Sequence, residues 1–281
     1  MKTFLNYIGS KRRLLKKIER FLPNSINNYY EPFVGGGSML FHLNNIYDIK
    51  KIFINDIDKD LINVFKVIKT NVHDLLKYLE EFDKYKSKTK FEEAVKIYNE
   101  NNFKKNKVLS AALYIFLNKR SYNNNFKYKQ NSIKPYFSIA NSKYKIFSKD
   151  NLIKVSILLK NTDIKSLDYK EFLDRTKPKK GDFVFIDPPY LVDNVKQYYK
   201  QTFNEENLNE LRKQCDILDK KNVNFMITLN NKSEIRKIFQ RYKIHSYKKR
   251  STLSNYKNIK ENEMIITNYY SRIFKNGTPV N

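Results

Sequence analysis

The chain has 281 residues, enough to bury one sizeable core and still carry an inserted subdomain. A lone cysteine, Cys215, excludes a disulfide framework and a paired-cysteine metal site, and no apolar run reaches the roughly 20 residues of a membrane span. The formal charge of +26 favours a polyanionic partner, because a strong positive field attracts phosphate backbones, although AT-rich codon usage alone would also enrich lysine.

In chain order, a short strand is expected over 29–34, followed by Gly35-Gly36-Gly37, three of the chain's six glycines, with Ser38 as the N-cap of a helix. The apolar run Lys51-Ile52-Phe53-Ile54 reads as a second strand ending in Asn55-Asp56. A helix follows with Leu61, Ile62, Phe65 and Ile68 on one face. From about residue 75 the character changes. Amphipathic helices over 91–98 and 108–117 lead into a polar, basic, aromatic-studded segment over 118–149. Alternation resumes with the strand Phe183-Val184-Phe185-Ile186, a helix over 205–220, a strand over 224–229, a helix over 233–239 and strands near 242–247 and 264–268; residues 277–281 read as a loose tail. The expected fold class is α/β, Rossmann-like, with a mostly parallel sheet covered on both faces. Residues 1–70 and 152–275 form its main part, and 71–151 form a helical insert.

Two motifs carry chemistry. In Glu31-Pro32-Phe33-Val34-Gly35-Gly36-Gly37-Ser38 a glycine turn follows the first strand, the nucleotide-binding corner of doubly wound sheets. Asp56, at the end of the next strand, can accept hydrogen bonds from ribose hydroxyls. The pair suits a dinucleotide or S-adenosylmethionine, but Leu40 stands where a dinucleotide fingerprint needs its third glycine. The second motif, Asp187-Pro188-Pro189-Tyr190, opens the loop after a buried strand. Two prolines remove two backbone donors, leaving the Asp187 carboxylate and the Pro188 carbonyl as acceptors and the Tyr190 ring as a stacking surface. That set suits an amine whose lone pair is delocalised into a ring. Holding both its N–H bonds would favour a tetrahedral nitrogen with the lone pair aimed at an electrophile.

With these motifs the chain resembles the Dam-type (D12 class) family of DNA adenine-N6 methyltransferases, over nearly its whole length. Asn6-Tyr7-Ile8-Gly9-Ser10-Lys11 resembles the family's opening segment, and Phe33 to Gly37 its cofactor loop. The resemblance implies a class I S-adenosylmethionine-dependent methyltransferase fold, with residues 71–151 as target-recognition subdomain. It makes Tyr7, Lys11, Phe33, Gly35, Gly37, Asp56, Asp168 and Asp187 cofactor-binding residues, Asp168 through the weaker match Ser166-Leu167-Asp168-Tyr169. Asp187, Pro188, Pro189 and Tyr190 become the catalytic motif. The segment 117–127 resembles the family's DNA-reading loop, implying DNA contacts by Asn6, Tyr122, Asn123 and Lys127. Here Lys127 replaces an arginine and Asn124 a glycine, and Asn6 replaces a lysine used on a base edge. Arginine grips guanine bidentately where lysine is a point donor, so GATC specificity is in doubt.

The expected reaction is methyl transfer to N6 of a flipped adenine in double-stranded DNA, with S-adenosylhomocysteine as product and no metal. Cytosine-N4 methylation uses similar chemistry, but those enzymes more often carry serine in place of the motif's aspartate. A DNA-binding module without catalysis fits poorly with retention of Tyr7, Lys11, Asp56 and Asp187 together. A monomer or weak dimer in the cytoplasm is expected, without signal peptide or membrane contact. A cognate restriction endonuclease acting on the same site is a further partner the resemblance allows.

Overall fold

The computed structural model describes residues 1–7, 11, 14–100, 105–122, 128–129, 132–133, 135–189, 205–250, 260–270, 274–275 and 278–279. Helix α1 (Leu15–Glu19) precedes β1 (Asn28–Glu31), α2 (Ser38–Asn44), β2 (Lys51–Asn55), α3 (Lys59–Thr70), α4 (Val72–Phe82), α5 (Lys88–Glu100) and α6 (Lys107–Arg120). A two-residue hairpin follows, β3 (Tyr128–Lys129) and β4 (Ser132–Ile133), then α7 (Ile139–Ser142), α8 (Lys149–Lys160), β5 (Thr162–Lys165) and α9 (Tyr169–Thr176). The chain continues with β6 (Phe183–Ile186), α10 (Glu205–Lys220), β7 (Asn224–Asn230), α11 (Ser233–Ile238), β8 (Lys243–Arg250) and β9 (Lys260–Thr267). It ends on β10 (Phe274–Lys275) and β11 (Thr278–Pro279).

Seven strands form one sheet in the order β5-β2-β1-β6-β7-β9-β8. The first five are parallel, and β9 runs antiparallel to both β7 and β8. The chain leaves β1 toward β2 on one side and resumes at β6 on the other. The switch in strand direction of travel therefore falls between β1 and β6, where open α/β sheets form a crevice at the carboxyl ends of their strands. The glycine turn and the Asp187 loop flank that crevice.

Alternation along each strand sorts the side chains into two layers. Tyr30, Val184, Ile186, Phe225 and Ile227 face the layer of α9, α10 and α11, where Phe172, Leu211 and Cys215 are buried. Burial also pushes the Cys215 thiol up, in keeping with a packing role. Tyr29, Phe183, Phe185 and Met226 face the other layer. That cluster runs without a break through Leu61 and Phe65 of α3 into Leu75, Leu79, Phe116 and Leu117 of α4 and α6. The helices of 71–151 thus share one core with the sheet.

Several local readings are corrected. The first strand stops at Glu31, since Pro32 cannot donate to a ladder and Phe33 turns away. The N-cap of α2 is Gly37 in the left-handed region (φ 69), with Ser38 as first helical residue; the turn, rather than a serine hydroxyl, starts the helix. The polar segment after residue 117 is not all loop, because α6 continues to Arg120 and α7 lies within it. Buried Arg120 holds that part together. Its guanidinium donates to the Asn141 carbonyl at 2.7 Å, the Tyr144 carbonyl at 2.5 Å and Asp83 Oδ1 at 3.0 Å. The stretch 277–281 is not merely a tail, since β11 pairs antiparallel with β10.

At the opposite end of the sheet, fully buried Asp182 joins β1 to β6. It accepts from Asn28 Nδ2 at 2.9 Å, Asn28 N at 3.2 Å, the Tyr30 hydroxyl at 3.1 Å and Lys179 N at 3.0 Å. Asp182→Ala strands these donors, so urea unfolding should show a loss of about 3–5 kcal/mol. A loss under about 1 kcal/mol would mean that water replaces the carboxylate at no cost.

Candidate active site

The carboxyl ends of β1, β2 and β6 bring the two motifs together. After β1 the chain turns through Gly35 (φ 47), in the left-handed region. A side chain there would be strained, and its Cβ would lie 2.9 Å from Tyr7 Cε1. Gly35 N donates to Asp56 Oδ2 at 3.0 Å, and Asp58 N to Asp56 Oδ1 at 3.1 Å. The Asp56 carboxylate therefore anchors the glycine turn to the end of β2 as well as facing the crevice.

Asn55, buried beside it, is a residue that neither motif singles out. Its Nδ2 donates to the carbonyls of Pro32 and Leu167, both at 3.0 Å, and its Oδ1 accepts from Leu167 N at 2.8 Å. One side-chain amide thus ties the loops after β1 and β5 to β2. The signal in the sequence is an asparagine closing an otherwise apolar strand. Ser166 Oγ donates to the Asp56 carbonyl at 3.0 Å, which brings the Asp168 segment to the same rim. Asp168 itself is exposed and caps α9 by accepting from Lys170 N at 2.9 Å. Phe33 packs its ring on Tyr169, centroids 5.2 Å apart.

Across the switch point stands Asp187. Lys11 Nζ donates to its Oδ1 at 2.7 Å, and Thr228 Oγ1 to the same oxygen at 2.7 Å. Lys11 is 2 % exposed and Asp187 20 %, so the ion pair is buried on the lysine side and partly open on the carboxylate side. Asp187 Oδ2 receives no hydrogen bond among the described residues. Pro188 is buried and Pro189 half-buried beyond it, while Tyr190 lies outside the described residues. Thr228, on the neighbouring strand β7, could be found only from the sheet register.

Glu31, at the end of β1, is a second residue the motif contains without a role. It is buried, and its Oε2 has no hydrogen-bond partner. Burial pushes its carboxyl well above the usual carboxylate range, and the Asp187 and Asp56 charges add to that; Tyr29 and the Leu40 amide offset only part. The crevice is thus edged by three acids, Glu31, Asp56 and Asp187.

Of the residues expected on DNA, Tyr122 is 61 % exposed just past α6. Its N donates to the Tyr136 carbonyl at 2.6 Å, fixing its backbone beside the segment that leads into α7. Asn6 lies near the site, with its Oδ1 accepting from Lys119 Nζ at 3.2 Å. Asn123 and Lys127 lie outside the described residues.

A glycine turn and a carboxylate facing each other across the switch point of a mostly parallel sheet define a nucleotide-type α/β site. Residues 7–253 match the model of the D12 class N6 adenine-specific DNA methyltransferases, and the chain belongs to that family. It is similar to the type II methyltransferase M.MjaIII of Methanocaldococcus jannaschii, 34% identical over 81% of this chain and 84% of that protein. Against the type II methyltransferase M1.LlaDCHI of Lactococcus lactis subsp. cremoris it is 29% identical, over 96% of each chain. Against the DNA adenine methylase of Escherichia coli K12 it is 24% identical over 90% of each. The chain is thus an adenine-N6 DNA methyltransferase with a mixed α/β fold, and no described helix is long and apolar enough to cross a membrane.

A pH dependence follows from Glu31. Its folded pKa lies above the unfolded value, so its contribution to stability is full below the ordinary glutamate pKa and is lost as pH rises through the folded one. Glu31→Gln should therefore flatten the fall of Tm on the way from acid to alkaline pH, and gain on the wild type as pH rises. Parallel Tm–pH curves for the two proteins would show that Glu31 ionises freely in the fold.

Proposed function

We propose that the crevice between β1 and β6 binds S-adenosylmethionine and presents Asp187 to the N6 amine of an adenine flipped out of double-stranded DNA. The single observation that carries this is the Asp187 carboxylate, with one oxygen occupied by Lys11 and Thr228 and the other open.

The donor set fits the cofactor. A sulfonium and an ammonium are both cationic, and Asp56 and Asp187 supply negative charge, while the buried Glu31 carboxyl offers an unpartnered oxygen as a polar acceptor. The ligand has no pyrophosphate, so a three-glycine turn without the third fingerprint glycine suffices. Tyr7 and the loop from Phe33 to Gly37 would hold it, with Asp56 on its ribose and Asp168 at the adenine end. When bound, S-adenosylmethionine supplies an electrophilic methyl group on sulfur.

Asp187 Oδ2 and the Pro188 carbonyl then accept the two N6–H bonds, which turns the nitrogen lone pair out of conjugation and toward that methyl. Lys11 and Thr228 fix the carboxylate rotamer, so orientation is set before substrate arrives. Tyr190 stacks on the base. The target base must leave the duplex for this geometry, which costs a few kcal/mol of unstacking. Residues 71–151 serve as the target-recognition subdomain, with exposed Tyr122 as a stacking ring and Asn6, Asn123 and Lys127 as the further DNA-contacting residues. Lysine at 127 is a point donor where arginine would grip guanine bidentately, which argues against GATC and leaves a guanine-containing site open. A restriction endonuclease of the same specificity is the partner that relatives named type II methyltransferases suggest.

Methyl transfer from labelled S-adenosylmethionine to plasmid DNA, followed by nucleoside analysis, should place the label in N6-methyladenine. Asp187→Ala should lower kcat by about a hundredfold or more while S-adenosylhomocysteine affinity falls far less. Equal loss of both would reduce Asp187 to a cofactor ligand. Thr228→Val leaves the carboxylate but frees its rotamer, and about a tenfold drop in kcat is expected. Unchanged kcat would show that Lys11 alone sets the orientation.

A further inference from the structure

Asn118 stands in the last turn of α6, inside the stretch 71–151, yet its side chain is spent on the N-terminal segment. Asn6 N donates to Asn118 Oδ1 at 2.9 Å, and Asn118 Nδ2 donates to the Asn6 carbonyl at 2.8 Å. The side-chain amide thus acts as a strand neighbour would, pairing both backbone groups of a single residue. Asn118 is 2 % exposed, so water cannot easily replace either bond. Lys119 adds the contact to Asn6 Oδ1 on the same side.

Beyond Asn6 the chain enters the cofactor side of the site. The Tyr7 ring lies so close to the glycine turn that a Cβ on Gly36 would sit 2.9 Å from Tyr7 Cβ. A little further along, Lys11 reaches Asp187. Upstream, Phe4 and Leu5 are buried, and Phe4 packs edge-on against Phe41 and Phe65. Such apolar contacts hold the segment down without fixing its position along the chain. Directional bonds do that: Asn151 clasps the Lys2 backbone at the start of the segment at 2.9 and 2.8 Å, and the reciprocal pair on Asn6 is the one that adjoins Tyr7.

We infer that Asn118 is a positioning residue: by clasping the Asn6 backbone from the end of α6, it sets Tyr7 over the Gly35-Gly36 turn and thereby tunes cofactor affinity. This rests on the proposal that the turn holds S-adenosylmethionine. It also makes the insert part of the cofactor pocket, because Tyr122 lies only a few positions past the clasp and its Lys119 neighbour.

The test uses the full chain with Asn118→Ala and Asn118→Asp. In the cofactor-free protein, the Asn6 amide should exchange with deuterium about tenfold faster or more in Asn118→Ala, which removes its acceptor, whereas Asn118→Asp keeps that acceptor and loses only the donor to the Asn6 carbonyl. By calorimetry, S-adenosylhomocysteine should bind Asn118→Ala about tenfold more weakly, while affinity for plasmid-length DNA changes by less than about twofold. An introduced carboxyl can donate to the Asn6 carbonyl only when protonated, so the Asn118→Asp defect should shrink at about pH 6 relative to about pH 8. An unchanged Asn6 exchange rate overturns the inference. So does cofactor affinity within about twofold of wild type, or joint loss of cofactor and DNA affinity in step with the urea midpoint, the mark of general destabilisation. Should the alanine variant not fold, the pH response of Asn118→Asp decides alone. If wild-type protein fails to bind S-adenosylhomocysteine, the cofactor proposal falls instead, and the exchange measurement still decides whether Asn118 holds the segment.

Discussion

The ion pair between Lys11 and Asp187 is the constraint on which the rest of the site depends. It joins the N-terminal segment to the end of β6, across the crevice that the sheet topology opens. A lysine at 2 % exposure needs an acid to meet its charge, and removing Asp187 would leave a buried cation without its counter-charge. The pair therefore fixes three things together: where the N-terminal segment crosses the sheet, which way the Asp187 carboxylate faces, and which of its oxygens is left for a ligand. Thr228 settles the last choice by donating to the same oxygen as Lys11.

The opposite wall is built on different terms. There a backbone turn needs an anchor, and Asp56 supplies it by accepting from Gly35 N and Asp58 N. Asn55 does the equivalent work for the loops after β1 and β5. Both residues end β2, so a single strand terminus organises three loops. The three acids that edge the crevice each meet the cost of burial differently. Asp187 is met by a cation, Asp56 by backbone donors, and Glu31 by holding its proton over a wider pH range. A row of like charges can be packed there only because those solutions differ.

How much of this is legible in the sequence depends on the range of each signal. The alternating strands and helices, the glycine turn and the proline motif are local patterns; the mostly parallel sheet bears out the alternation, and Gly35 and Asp187 stand at the carboxyl ends of β1 and β6. Lys11, Asp56 and Asp187 stand out by motif, and the structure brings them to one crevice. Thr228, Asn55 and Asn118 do not, because each acts through a partner far away in the chain or one loop over, and nothing in their own neighbourhood demands a polar group. Glu31 is visible as a letter of the motif, but its burial is not. Ser38 fails as a cap for the converse reason. A good capping residue beside a helix is a strong local signal, yet the left-handed turn at Gly37 already sets the first helical residue.

The continuous core beneath α3, α4 and α6 gives the family's division of labour a physical form. An insert attached by two crossings could rock independently, and DNA contact would then be felt at the cofactor only through the substrate base. Here Leu75, Leu79, Phe116 and Leu117 belong to the same buried cluster as Phe185 and Met226 of the sheet. Arg120, bonded to Asp83 and to the carbonyls of Asn141 and Tyr144, stiffens the end of α6 from which Tyr122 projects. The end of one helix thus carries a clasp on the N-terminal segment and a buried guanidinium, and an exposed aromatic ring follows two residues past it. Because Ser121 and Tyr122 are pinned to the 136–137 segment, a displacement imposed on Tyr122 has few ways to relax before it reaches Asn118. The end of α6 is therefore the physical joint between the exposed Tyr122 ring and the N-terminal segment whose Lys11 meets Asp187.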